Sequence, residues 1–396
     1  MNSPNKILKS TSGKNPKRVA LIHDCTAYGG LEAHILMLAR YLDPARYTPL
    51  VVVPGYTDEY RSSPTRFIEE VQALGLPLLR PVDPGNNRIL SYLKDVRNVR
   101  NLLKANEVDI VHIHTRRPEG ARKATLSARL AGIQAVIRTE HVTPSVSIKP
   151  YSKYVIKPFD WLTNYVVTVS ESNRQEQLNL LGRNPQKVYC SYGGIEIERF
   201  NPIHDVSEAK RRLGLDPALP VAGTVGRLSE EKGHTYIIRA AERVLKEYGP
   251  VNFVLVGNGP LETQLKEQIA QLGLEQYFHL VGFQSNPIPY IEAMDITLMS
   301  SLNEALGLSL LEFMAMGKPS VVTAIPSFKE ILRDGESGLI VPAQDSQAFA
   351  EGILKLLHDP VLAAGLAQAA LKQVRLKFTI QRMTSDIMNL YDSLLI

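Results

Sequence analysis

Residues 301–330 read SLNEALGLSLLEFMAMGKPSVVTAIPSFKE. The run just before them, Ile296-Thr297-Leu298-Met299, has the composition of a buried parallel strand that ends in small polar residues. Glu304 follows, then Gly307-Leu308-Ser309, then an apolar run to Met316 that stops at Gly317. Ser309 reads as an N-cap and Gly317 as the glycine after a C-cap, so the pattern predicts a helix over 310–316. Lys318-Pro319 leads into a second strand, Ser320-Val321-Val322-Thr323. The stretch is therefore a strand, loop, helix, strand unit with a glycine where the loop meets the helix. A helix start of this kind presents backbone amides and the positive end of a dipole, which suit a phosphate. Gly307 has no side chain to hold a ligand away. Glu304 lies before the loop and Glu312 about one turn into the helix. Carboxylates repel phosphate but accept hydrogen bonds from sugar hydroxyls, so the pattern fits a sugar–diphosphate–ribose ligand. Two glutamates eight residues apart also occur on solvated helix faces, and the rest of the chain has to decide.

The chain has 396 residues, enough for two domains with full cores. Its 44% hydrophobic and 21% charged content is that of a globular protein and excludes a disordered one. Two cysteines, Cys25 and Cys190, exclude a disulfide framework and a cysteine zinc site and fit a reducing compartment. No apolar run approaches the length of a spanning helix, and the start lacks a signal-peptide core. Residues 1–16, polar and basic, read as a disordered tail. These features predict a soluble, cytoplasmic protein. Charge is uneven: residues 1–200 hold 28 Lys and Arg against 18 Asp and Glu, and residues 201–396 hold 17 against 22. The basic half suggests an anionic partner there, either a membrane surface on its inner face or a phosphorylated acceptor. Unevenly scattered solubility charge is the plainer alternative. No nucleic-acid motif is present.

Strand patterns fall at 18–23, 48–53, 109–114, 134–138, 166–169 and 187–191 in the first half. In the second they fall at 221–225, 252–256, 277–281, 296–299, 320–323 and 338–341. Helical patterns, notably 31–42, 88–104 and 119–131, lie between them. Alternating strands and helices predict parallel sheets covered on both faces. The expected division is an N-terminal Rossmann-like domain at 17–200 and a C-terminal one at 201–377, with 197–220 as linker. Ligands of such domains bind at the carboxyl ends of the strands, so a cleft between the two is the expected site.

At the first strand end, His23-Asp24 is followed by Tyr28-Gly29-Gly30-Leu31-Glu32-Ala33-His34. The glycine pair allows close backbone approach, or simply makes a turn; Glu32 and His34 read as structural. His23, His112, His114 and His141 invite a metal reading. His112 and His114 share a strand face, but no cysteine or second tight His/Asp pair completes a site, so they read as neutral, hydrogen-bonded residues. His141 ends Arg138-Thr139-Glu140-His141 at a strand terminus. In the second half, Val225-Gly226-Arg227-Leu228 is followed by Ser229-Glu230-Glu231-Lys232-Gly233. The fork of Arg227 and the point charge of Lys232 can hold a diphosphate and stabilise it as it leaves; a solvated Arg and Lys is the alternative. Val256-Gly257-Asn258-Gly259-Pro260 is a further glycine loop, and Glu330 reads as structural. Residues 147–161 interleave lysines and aromatics with the only tryptophan, Trp161. They fit a membrane surface, an acceptor groove or an ordinary amphipathic helix. Arg116, Arg117, Arg122 and Lys123 are expected to extend that basic face.

In this order the motifs resemble the retaining glycosyltransferases of family 4, which have the two-domain GT-B fold. The resemblance rests on Gly29-Gly30-x-Glu32, strand-end His141, Gly226-Arg227-Leu228…Lys232-Gly233, Gly257-x-Gly259-Pro260 and the Glu304-x7-Glu312 spacing. Tyr192-Gly193-Gly194-Ile195-Glu196 departs from it, with Gly193 for the usual Asn and Glu196 for the usual Asp. The resemblance implies a sugar moved from a UDP-, GDP- or ADP-sugar to a sugar, glycan, lipid-linked or small-molecule acceptor, with front-face departure and attack. It also implies that the terminal helix within 378–396 crosses back to the first domain. His141 and Glu304 would position the donor sugar, and Gly29 and Gly30 would approach donor phosphate or acceptor. Arg227, Lys232 and the amides of Gly307, Leu308 and Ser309, with Gly226 beside them, would bind the diphosphate. Glu312 would hold the ribose. No Asp-x-Asp occurs, so no metal or other cofactor is expected. A nucleotide-sugar epimerase or hydrolase, or a non-catalytic nucleotide-sugar-binding protein, are the alternatives on the same fold.

Overall fold

The structure is a computed structural model that describes residues 15–24, 29–53, 65–81, 88–147, 151–200 and 205–395. The chain divides into two compact units. The first comprises Met1–Val169, Arg174–Ser191 and Met383–Ile396; the second comprises Ser170–Asn173 and Tyr192–Arg382. Most of the tail read at 1–16, together with Cys25, Tyr28 and 148–150, lies outside the described residues.

The first unit is a seven-stranded parallel sheet: β1 (Lys17–Asp24), β2 (Tyr47–Val52), β3 (Leu78–Leu79), β4 (Ile110–Thr115), β5 (Ala135–Glu140), β6 (Tyr165–Thr168) and β7 (Val188–Cys190). Their order is β3-β2-β1-β4-β5-β6-β7. β4 is buried along its whole length, as a strand with helices on both faces must be. Ala20, Ile22, Leu50, Val52, Val111, Ile113 and Val136 pack into one cluster on one face. The side chains between them, including His112 and His114, turn to the other face. There the helix Ile380–Ser393 sends Tyr391 to His112.

The second unit repeats the plan with six parallel strands: β8 (Val221–Val225), β9 (Asn252–Val256), β10 (Phe278–Leu280), β11 (Ile296–Met299), β12 (Ser320–Thr323) and β13 (Leu339–Val341). Their order is β10-β9-β8-β11-β12-β13. Alternation assigns Ala222, Phe253 and Leu255 to one core and Val221, Val254 and Val256 to the other. Both sheets therefore reverse direction once, between β1 and β4 and between β8 and β11. In open parallel sheets the crevice at such a reversal is where ligands bind.

Two sequence expectations need correction. The helix after β11 is Leu308–Ala315, and its N-cap is Gly307 at φ 99°, not Ser309. The left-handed glycine turns the chain early, and its carbonyl accepts from the Leu310 amide at 3.0 Å. Residues 197–220 are not simply a linker: Asp205 caps a helix at Val206–Arg212, and Lys210 is buried in an ion pair with Asp295 at 2.7 Å. Among the described residues, no helix is long and apolar enough to cross a membrane.

Candidate active site

In the second unit, β8 delivers Gly226-Arg227 to the carboxyl end of the sheet beside the loop that follows β11. The Gly226 and Leu228 amides bond to the Val256 and Asn258 carbonyls, both at 2.9 Å. This places the Gly257–Gly259 loop directly against the Arg227 segment. A Cβ on Gly257, at φ 144°, would stand 1.9 Å from the Gly226 carbonyl oxygen, and one on Gly259 would stand 2.3 Å from that of Leu228. The Gly-x-Gly-Pro loop therefore braces the segment that carries Arg227. Its role was not legible from spacing, because the close approach is between β8 and β9.

Lys232 ends a short 3-10 turn, Glu230–Lys232, and Gly233 enters the next helix at φ 63°. A side chain on Gly233 would meet the Ser300 carbonyl oxygen, so the turn is pressed onto the end of β11. Two bonds fasten it there: Ser300 Oγ donates to the Lys232 carbonyl at 2.9 Å and the Leu302 amide to that of Glu231 at 2.7 Å. The Lys232 ammonium forms an ion pair with Glu304, which also accepts from Ser301 Oγ at 3.0 Å. Both partners of the ion pair are mostly shielded. Sequence spacing did not reveal this pairing, since the residues are 72 apart. Gly226 is open, with the Lys232 stem 3.9 Å from its Cβ position.

The amides of Leu308 and Ser309 open the helix Leu308–Ala315 and have no acceptor within it. Gly307 is held by packing as well as by φ, because its Cβ would lie 2.7 Å from Phe328. Gly193 lies against the same loop, its Cβ position 2.8 Å from Leu306, where a larger residue would need room. Glu312 sits one turn in; burial pushes its carboxyl up to about 7, against the pull of Arg199. Glu330 accepts from the Glu171 amide and the Tyr192 hydroxyl, each at 2.9 Å, and is structural as the sequence indicated.

In the first unit, register pairs His23 with His114 across β1 and β4, at the carboxyl ends of the strands. The helix Gly30–Tyr41 starts at this point, with Gly29 in an extended conformation that any residue adopts. Arg116 lies 3.1 Å from the Cβ position of Gly29 and 3.9 Å from Glu32. Glu32 is fully buried and accepts from His23 Nε2 at 2.7 Å, an orienting pair as expected. His112 bonds through both ring nitrogens, to Tyr391 and Thr139, each at 2.7 Å. His141 follows β5, its amide bonded to the Thr115 carbonyl, and its Nε2 meets His114 Nδ1 at 3.2 Å.

His34 completes a group the sequence did not assemble. One ligand atom from each of His34, His114 and His141 lies within 4.8 Å of the others, so His114 clusters with His34 and His141, while its strand neighbour His112 stays outside the group. A helix residue and two strand ends at the reversal between β1 and β4 were the available signal. Burial lowers His34 to about 4 and His112 to about 3, and holds His114 and His141 well below the usual histidine range. All four are neutral at physiological pH. His141 can therefore exchange hydrogen bonds with a hydroxyl but does not bring a standing charge. The expected basic face is partly used internally: Lys123 pairs with Asp95, and Arg122 Nε donates to the Glu119 carbonyl at 2.8 Å.

Two doubly wound parallel sheets, each with polar loops at its reversal point, define the GT-B architecture. Residues 28–199 match the family described as Glycosyltransferase Family 4, and residues 205–373 match Glycosyl transferases group 1. The chain is a glycosyltransferase of GT-B architecture that resembles family 4. EpsD of Bacillus subtilis, described as a glycosyltransferase, is 29% identical over 334 residues, covering 81% of this chain and 85% of that one. The phosphatidyl-myo-inositol mannosyltransferase of Mycobacterium leprae is 25% identical over 370 residues, covering 92% and 93%. The Escherichia coli UDP-Gal:alpha-D-GlcNAc-diphosphoundecaprenol alpha-1,3-galactosyltransferase is 25% identical over 318 residues, covering 77% and 81%. Among solved structures, HepE of Anabaena in complex with UDP superposes with a TM-score of 0.82 at 20% identity, covering 95% of this chain and 100% of that one.

Proposed function

We propose that this glycosyltransferase takes a nucleotide-activated sugar as donor, transfers it with retention and without a metal, and delivers it to a lipid-linked or glycan acceptor of cell-envelope or polysaccharide synthesis. The observation that carries this reading is the fixed Lys232–Glu304 pair beside Arg227 at the reversal between β8 and β11. An ammonium has three donors, so Lys232 can keep Glu304 and still donate to a phosphoryl oxygen. Its flexible stem is already ordered, which lowers the entropy lost on binding. Arg227 and the Leu308 and Ser309 amides add positive potential where charge develops on the departing diphosphate. Glu312 accepts from the ribose hydroxyls. Glu304, through its remaining acceptor capacity, orients hydroxyls of the donor sugar; in the first unit the neutral His141 offers a hydrogen bond to a hydroxyl. The diphosphate oxygen takes the acceptor's proton as the new glycosidic bond forms on the face that the diphosphate leaves. No protein nucleophile is assigned. A UDP-sugar is the donor that the relatives' own ligands support, through HepE with UDP and the E. coli UDP-galactose enzyme.

The Arg227→Ala variant tests the assignment. Its turnover is expected to fall at least about a hundredfold with the far-UV spectrum intact, the size of loss seen when one preorganised charge-stabilising donor is removed. Near-normal turnover would sink the role. Titration of UDP, GDP and ADP with chelator present tests the donor and the metal-free reading together. One nucleotide should bind as well in chelator as without it, and chelator-sensitive binding would move the diphosphate onto a metal.

A further inference from the structure

The aromatic and basic segment around Trp161 has no part in the proposed transfer. It forms the helix Ser152–Trp161 of the first unit, which is anchored on one side only. Ser152 and Ile156 are fully buried, and the helix's single carboxylate, Asp160, is turned inward to Arg138 and Arg183. On the other side Tyr151, Tyr154 and Trp161 are 53%, 68% and 80% exposed, with Lys153 and Lys157 exposed beside them. Tyr151, Tyr154, Lys157 and Trp161 recur every three to four residues and so form one stripe. The neighbouring helix Arg122–Leu130 is tied to the end of this one, where Arg129 Nε donates to the Leu162 carbonyl at 2.7 Å.

We infer that this stripe seats the first unit on an anionic lipid surface. Exposed large aromatics in a row are unusual on a soluble face and mark a contact. Tyrosine and tryptophan favour the headgroup level of a bilayer, and lysines at that level are attracted to anionic lipid. A protein partner fits less well, because lysine is depleted in protein interfaces. The chain's only carboxylate on this helix is withdrawn from the surface, and the excess of basic residues in the first half has the matching sign. A ten-residue helix with two exposed aromatics and a third at its N-cap gives reversible, peripheral binding, not insertion. The inference rests on the transfer reading only for its use, since a lipid-linked acceptor is found at such a surface.

Trp161 is the only tryptophan, so intrinsic emission reports the site directly. Vesicles of phosphatidylglycerol and phosphatidylcholine are expected to shift the emission of the full chain to the blue and shield it from iodide. Pure phosphatidylcholine vesicles should do so far less, and added salt should reverse the effect. Lys153→Gln with Lys157→Gln should weaken the vesicle partition at least about tenfold, and Tyr154→Ser should weaken sedimentation with the same vesicles. Circular dichroism establishes that each variant is folded. An unchanged emission with anionic vesicles overturns the inference, as does equal binding to neutral ones. Undiminished binding by the folded variants overturns the assignment to this stripe. A shift with soluble glycan and none with vesicles would make the stripe a sugar platform instead. The assay needs neither donor nor acceptor, so its failure and that of the transfer reading are separate.

Discussion

At the residue scale, Glu312, proposed to hold the ribose, carries a cost to the fold. Its carboxyl titrates near 7 in the folded protein because burial opposes the charge, against an ordinary value of 4.5. Below the ordinary value, folded and unfolded chains are both protonated and Glu312 has no effect on stability. As pH rises from about 4.5 to about 7 the unfolded chain ionises first, so stability is lost across that window. The loss is at most on the order of 3 kcal/mol, reduced by the group's partial exposure. Glu312→Gln should therefore unfold at higher urea than the parent at pH 8, match it near pH 4.5, and flatten the slope between. Equal slopes for the two proteins would show that Glu312 is not strained in the ligand-free state. The residues proposed for the donor site stood out in the sequence because their chemistry is local: Arg227, Lys232 and Glu304 lie in the loops that follow β8 and β11, where charge has few structural uses. Their pairing was not legible. Whether Lys232 meets Glu304 or water depends on how β8 and β11 lie side by side, and that is a property of the sheet.

At the element scale, the end of β5 that carries His141 is fixed by a buried charge network. Glu140 accepts from Arg183 Nη2 at 2.8 Å and Gln177 Nε2 at 2.9 Å, and pairs with Arg138 Nε at 3.0 Å. Arg183 also donates to Asp160 at 2.9 Å, which ties the helix Ser152–Trp161 to the strand end. Buried networks of this kind add little over well-packed apolar groups, but removing one member leaves a stranded charge. Arg183→Ala should thus cost about 3–5 kcal/mol of unfolding free energy. Pairing Arg183→Met with Glu140→Gln should recover most of that loss. A single-variant cost under about 1 kcal/mol, the level of an exposed pair, would mean that water solvates the network. The sequence disclosed nearly every strand here, since buried parallel strands are continuous runs of Val, Ile and Leu. It did not disclose β3, where Leu78–Leu79 is two residues long and confined between Pro77 and Pro81. Nor did it reveal the start of Leu308–Ala315, where a serine looked like a cap and a left-handed glycine was the actual one.

At the scale of the whole molecule, the first unit is completed by the end of the chain. The exit runs past Ile195, whose amide bonds to the Phe378 carbonyl at 3.0 Å and whose carbonyl accepts from Ile380 at 3.0 Å. Gly194 is required there, since a Cβ would stand 2.3 Å from the Thr379 carbonyl oxygen. From Met383 onward the chain belongs to the first unit, where Met383, Ile387, Leu390 and Tyr391 are buried. Tyr391 bonds to His112 and packs edge-on to Tyr47 at 5.4 Å, while Asp392 holds Arg46 and accepts from the Tyr47 hydroxyl. Each buried apolar side chain of that size contributes roughly 1.5–3 kcal/mol, so four of them approach the whole net stability of a typical domain, about 5–15 kcal/mol. Deleting residues 383–396 should therefore open β1, β2 and β4 to hydrogen exchange while β8, β9 and β11 stay protected. Tyr391→Phe, which removes one hydroxyl and keeps the ring, should cost only about 1 kcal/mol plus the penalty of the unpaired His112 nitrogen. If the truncated chain protected β4 as well as the parent does, the last helix would be an appendage and the first sheet would hold its fold without it.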